Sequence, residues 1–119
     1  MIARFAVALL AAGVGAFAVI PSASGASKPV KKTVKVGDYF LSPGKITVPR
    51  KSTIVWKWQA ANSDSHDVTL RKRPKGVKKW HSEIATTDYT FRKKLTVKGK
   101  YVVICSLHPY DMRQTITVR

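Results

Sequence analysis

The stretch Cys105-Ser106-Leu107-His108-Pro109-Tyr110-Asp111-Met112 gathers a thiol, an imidazole and a thioether into one short loop. Such donors are scarce elsewhere, because the 119-residue sequence holds one Cys, three His and two Met, one of them Met1. Thiolate and thioether are soft ligands, and with imidazole they suit a copper ion that cycles between Cu(I) and Cu(II). Two His and one Cys in a plane, with a weak axial Met, make the site used for one-electron transfer. A second His must therefore come from elsewhere. His66, in Asn62-Ser63-Asp64-Ser65-His66-Asp67-Val68, stands where a polar loop meets an apolar segment. His81, in Lys79-Trp80-His81-Ser82, is the alternative and lies in a basic stretch.

A lone Cys after the apolar run Tyr101-Val102-Val103-Ile104 would ordinarily be a small buried hydrophobe. His108 three residues on and Met112 seven residues on change that reading to a metal site. A binuclear centre needs a second Cys in the loop, and multicopper oxidases and nitrite reductases need further histidines and domains. Three histidines in one small domain cannot supply them.

These donors have to be held by strands. From Val30 onward, short β-branched and aromatic runs alternate with Gly and Pro, and no 3.6-residue apolar stripe is sustained. Strands are predicted over Thr33–Val36, Lys45–Val48, Thr53–Trp58, Asp67–Leu70, Asp88–Arg92, Lys100–Ile104 and Thr115–Val118. Ser42-Pro43-Gly44, Lys75-Gly76 and Lys98-Gly99 are the turn signals. This spacing predicts an all-β sandwich with Greek-key connections. Within Ile54-Val55-Trp56-Lys57-Trp58, alternation directs Ile54, Trp56 and Trp58 to one face, where both indoles read as core.

At the other end, Arg4, an apolar run from Phe5 to Ile20, and small residues through Ala26 follow the order of a secretory signal peptide. The run is sixteen residues, short of the roughly 20 that span a bilayer, with an uncleaved anchor as the competing reading. Residues 1–26 are thus a signal peptide, 27–32 a linker and 33–119 the folded domain. Export places the chain in a secreted, periplasmic or cell-envelope setting, where a single Cys is unusual.

Net charge is +16, and since the first 26 residues contribute Arg4 alone, the rest keeps +15. Arg71-Lys72-Arg73-Pro74-Lys75-Gly76-Val77-Lys78-Lys79 and Arg92-Lys93-Lys94 are the densest runs. They fit an acidic redox partner, or an anionic cell-wall or membrane surface. Nucleic acid is set aside, because no binding module and no regular pattern of stacking aromatics is present.

Residues 33–119 resemble the cupredoxins, the plastocyanin, amicyanin and pseudoazurin group of small blue copper proteins. The resemblance rests on Tyr39-Phe40, Pro43, Ile46-Thr47-Val48, Val55-Trp56-Lys57-Trp58, Asn62 and His66-Asp67-Val68. It rests above all on Tyr101-x3-Cys105-x2-His108-Pro109-x2-Met112 and the closing Ile116-Thr117-Val118. It implies a monomeric, non-enzymatic electron carrier with one copper held by His66, Cys105, His108 and Met112. His108 would lie nearest the surface among Leu107, Pro109 and Tyr110, with Asn62, Ser106 and Asp111 as hydrogen-bonding supports, a turn residue being the alternative for Asp111. Arg50-Lys51 and Arg113-Gln114 stand where such proteins often carry Gly, and Asp67 where they often carry an Asn that braces the two ligand loops. The other functions open to such a domain are copper storage or delivery and metal-free binding of polyanions.

Overall fold

A computed structural model describes residues 27–119, so the expected signal peptide lies outside the described residues. The strands are β1 (Lys31–Gly37), β2 (Phe40–Ser42), β3 (Lys45–Val48), β4 (Ser52–Trp58), β5 (Thr69–Lys72), β6 (Thr90–Leu95), β7 (Gly99–Ile104) and β8 (Arg113–Val118). They form two four-stranded sheets, ordered β2-β1-β4-β6 and β3-β8-β7-β5. The pairs β1/β4 and β3/β8 are parallel and the other pairs antiparallel, so the expected Greek-key sandwich is the observed fold. No helix among the described residues is long and apolar enough to cross a membrane.

Period-two patterning builds the core. In β8, Gln114, Ile116 and Val118 are buried while Arg113 is exposed, and β3 likewise buries Ile46 and Val48. Val34, Val36, Ile54, Trp56 and Trp58 from one sheet meet Leu70, Tyr101, Val103, Ile116 and Val118 from the other. Burying a side chain as large as Trp56 removes about 200 Å² from water, which stabilises by roughly 5 kcal/mol before entropy is counted. Its indole N–H must also be satisfied, and Gln114 does this: Trp56 Nε1 donates to Gln114 Oε1 at 2.9 Å. The same amide donates from Nε2 to Pro43 O at 2.7 Å, tying β4, β8 and the turn after β2 into one buried network.

Beyond shifts of one residue, five elements differ from expectation. β8 opens at Arg113, not Thr115, and there Arg113 pairs with Ile104. β2 spans three residues, too short to show alternation in sequence. Lys31 and Lys32, placed in the linker by sequence, pair with Thr53 and Ile54 and open β1. β5 starts at Thr69, not Asp67, because His66 and Asp67 are committed to side-chain contacts described below. β6 starts at Thr90 and runs on through Arg92-Lys93-Lys94, since Asp88 takes a left-handed φ of 57° in the preceding turn.

The registers also set which ends of the sheets coincide. Ile104 pairs with Arg113, and Trp58 reaches His66, so the ends of β4 and β7 and the start of β8 share one pole. Ser52 pairs with Leu95 and Gly99 with Val118, while Arg119 N–H donates to Val48 O, which defines the opposite pole.

Candidate metal centre

The candidate ligands lie in the loops that join core strands at one pole, where main-chain bonds fix them. His66 lies in the β4–β5 connection and is tied to Ala85 by N–H to O bonds of 2.9 and 3.0 Å in the two directions. Its carbonyl also accepts the Trp58 indole N–H at 3.0 Å, so a residue read as core filler also positions the ligand loop. Cys105 directly follows β7, and the turn to Met112 is closed by Cys105 N–H to Met112 O at 3.0 Å and Met112 N–H to His108 O at 3.0 Å. Cys105, Met112 and His66 are fully buried.

His66 Nδ1 stands 4.0 Å and His108 Nδ1 3.7 Å from Cys105 Sγ, and the three donor atoms lie within 4.8 Å of one another. Metal–imidazole bonds of about 2.0–2.1 Å and a metal–thiolate bond of about 2.3 Å, spread at roughly 120°, require sulfur-to-nitrogen separations of about 3.8 Å. The donor spacing therefore fits a trigonal ion held by two nitrogens and one sulfur, without rearrangement. His81 is outside this cluster: it is exposed, and its Nδ1 bonds Ser82 O at 2.9 Å.

The outer nitrogen of each ring is also assigned. His66 Nε2 meets Asp38 Oδ1 at 2.8 Å, and His108 Nε2 meets Asp64 Oδ2 at 3.2 Å. An ionised carboxylate only accepts, so both Nε2 atoms carry hydrogen, which leaves the Nδ1 atoms facing Cys105 Sγ as the ligand atoms. Ser63 N–H, then the His66 ring, hold the Asp38 carboxyl down to about 2. Ser65 N–H, then the Tyr39 hydroxyl, lower that of Asp64. Tyr39 O–H donates to Asp64 Oδ2 at 3.1 Å, and this bond raises the phenol above its ordinary value. The Tyr39 ring stands edge-on to both histidines, with centroids 5.1 Å from His108 and 6.1 Å from His66.

Asp67 joins the two ligand loops. Its carboxylate accepts Ser106 N–H and Ser106 O–H, both at 2.6 Å, and Thr69 O–H at 3.3 Å. Its own N–H points to Cys105 Sγ at 3.5 Å. Ser106 is thus a support, as expected. Asn62 supports the fold instead, donating to Val36 O and Thr86 O, and Asp111 is an exposed turn residue. Asp38 and Tyr39 were missed as site residues because nothing in Gly37-Asp38-Tyr39 signals a partner 28 positions away. Tyr39 at φ 70° aims that turn across the site.

Charge around the site also differs from expectation. All six acidic residues, Asp38, Asp64, Asp67, Glu83, Asp88 and Asp111, lie in the loops of this pole, whereas the lysine-rich runs extend away from it. Within the Cys105–Met112 turn there is no lysine or arginine, and Arg113, just after it, reaches Pro109 O at 3.5 Å.

Residues 28–119 match the family model described as copper binding proteins, plastocyanin/azurin family. No curated protein sequence matches the chain. A copper-containing nitrite reductase from Thermus scotoductus SA-01 superposes with TM-score 0.66 at 22% identity, over 84% of this chain and 25% of that one. The chain thus spans about a quarter of that protein. Amicyanin from Paracoccus versutus gives TM-score 0.62 at 21% identity, over 74% of this chain and 80% of that one. A purple cupredoxin from Nitrosopumilus maritimus gives 0.61 at 21%, over 74% and 99%. At such identities the structures share the fold.

Proposed function

The chain belongs to the plastocyanin/azurin family of copper-binding proteins, and on that premise we propose that it is an exported, monomeric carrier of single electrons. His66, Cys105 and His108 would hold one copper, with Met112, buried at the end of the same turn, as a further ligand. The observation that carries this reading is the convergence of two Nδ1 atoms on one thiol sulfur, with each outer ring nitrogen held by a carboxylate.

Bound copper supplies a Cu(I)/Cu(II) couple, and the chain does the rest. Asp38 and Asp64 hold the ring orientations, and Asp67 locks the loop of His66 to that of Cys105. A donor set anchored at strand ends leaves little to reorganise when charge changes. His108, with 21% of its side chain exposed, is the ligand through which electrons pass to a partner. Leu107 and Tyr110, 47% and 91% exposed, form the contact surface beside it. Overall charge favours an acidic partner, but exposed Glu83, Asp88 and Asp111 give this pole a rim that suits a partner with cationic contact groups.

The test is visible absorption and electron paramagnetic resonance of residues 27–119 with one equivalent of Cu(II). An intense thiolate-to-copper band with small hyperfine splitting, lost in Cys105→Ser, is expected. A folded protein that binds copper without that band overturns the carrier reading.

A further inference from the structure

We propose that the pole opposite the metal centre docks on an anionic lipid bilayer. Its residues come from strand ends far apart in sequence: Arg50 and Lys51 before β4, Lys94 near the end of β6, Lys98 before β7, and Arg119 after β8. Main-chain bonds hold them together, with Lys51 N–H on Leu95 O at 2.7 Å and Arg50 N–H on Arg119 O at 3.0 Å. Lys51 occupies φ 72°, so the turn that presents this pair is itself fixed. A groove of about 710 Å³ opens here, lined by Arg50, Lys51, Lys98 and Arg119 together with Ser27 and Pro29.

Three observations make this pole an anion-facing surface. First, among the described residues the ion pairs are His66–Asp38 and His108–Asp64, so no lysine or arginine is neutralised by a carboxylate. Second, the six acidic residues all lie at the other pole. A seven-residue strand such as β4 separates the poles by about 20 Å. That is roughly twice the screening length at physiological salt, so an approaching bilayer meets the basic groups alone. Third, Ser27 lines the groove, and the sequence before it contains the apolar run Phe5–Ile20. While that segment remains attached, as in the uncleaved-anchor reading, the part of the chain that can partition into lipid therefore joins the domain at its basic pole. This continuity selects a bilayer over a soluble polyanion. Docked in this way, the domain directs His108 away from the headgroups, toward a redox partner.

Every strand and the core cluster fall within residues 31–119, so the test uses residues 27–119 without metal, which separates its outcome from that of the copper reading. Sedimentation with phosphatidylcholine vesicles, with and without phosphatidylglycerol, measures partitioning. Each basic group near an anionic surface is worth about a fivefold gain. The variant Arg50→Gln/Lys94→Gln/Lys98→Gln/Arg119→Gln is expected to lose two to three decades of binding, roughly. The charge-matched control Lys35→Gln/Lys45→Gln/Lys57→Gln/Arg92→Gln, from the metal half and the middle of the sheets, is expected to lose less than about tenfold. Wild-type binding should also vanish in high salt, a readout that holds even if the pole variant fails to fold. Equal loss in both variants, equal binding to neutral vesicles, or binding of inorganic polyphosphate without any binding to vesicles overturns the proposal.

Discussion

Replacing Asp67 with Ala should loosen the metal centre and the fold together. The carboxylate accepts two bonds of 2.6 Å from Ser106 and one of 3.3 Å from Thr69. Hydrogen bonds to a charged group contribute about 1.5–3 kcal/mol each. Ser106 is exposed, so its donors regain water once released, and removing a buried charge returns part of its desolvation cost. The net loss is then about 2–3 kcal/mol, or about 10–20 °C in midpoint for a domain of this size. Thermal and urea unfolding of the metal-free domain measure the first effect. Electron paramagnetic resonance of the copper form measures the second, because the loop carrying Cys105 and His108 is freed from the loop carrying His66. Asp67→Asn should lose under about 1 kcal/mol, since the amide still accepts Ser106 N–H. It should also raise the copper potential by roughly tens of millivolts, because a negative charge beside the thiolate favours Cu(II) over Cu(I). An Asp67→Ala protein within about 0.5 kcal/mol of wild type, with an unchanged spectrum, would refute the clamp.

Gln114→Leu orphans the Trp56 N–H and the Pro43 carbonyl, and urea unfolding should register a loss of about 2–4 kcal/mol; an unchanged midpoint would show that water replaces both bonds. The Asp38 carboxyl, held at about 2 against about 3.9 in the unfolded chain, binds protons more weakly when folded. Its contribution to stability is therefore complete above about pH 4 and lost as pH falls toward 2, a slope that Asp38→Asn should flatten in acid titration of the metal-free protein. Tyr39→Ala uncovers the edges of both histidines, so a chelator should extract copper faster than from wild type, whereas an equal rate would deny Tyr39 a covering role. His66→Ala should abolish the thiolate-to-copper band while His81→Ala leaves it intact; the reverse result would contradict the donor cluster.

How much was legible in the sequence depended on how far each signal reaches. Strand existence came from local alternation, and β3 was predicted residue for residue, because each side chain announces its own face. The boundaries of β5 and β6 escaped because His66 and Asp67 are diverted by contacts with residues outside their own strand, and Asp88 turns through a left-handed φ. The Cys105–Met112 turn identified the chemistry unaided, since its donor types and spacing lie in one continuous stretch. The choice of His66 over His81 needed either the family resemblance or the fold, which sets one ring beside the thiol and leaves the other exposed.

Composition likewise determined that the domain is strongly basic, but charge counts carry no direction. Antiparallel and parallel registers return the loops bearing carboxylates to one pole and gather lysines and arginines from separate strand ends at the other. The carboxylates on both outer ring nitrogens, the Asp67 clamp, the Tyr39 cover and the basic pole all join residues tens of positions apart. A linear chain shows donor chemistry wherever the donors are neighbours. Which distant groups orient those donors, and which face the charge occupies, follows from sheet register and packing, and that only the tertiary structure decides.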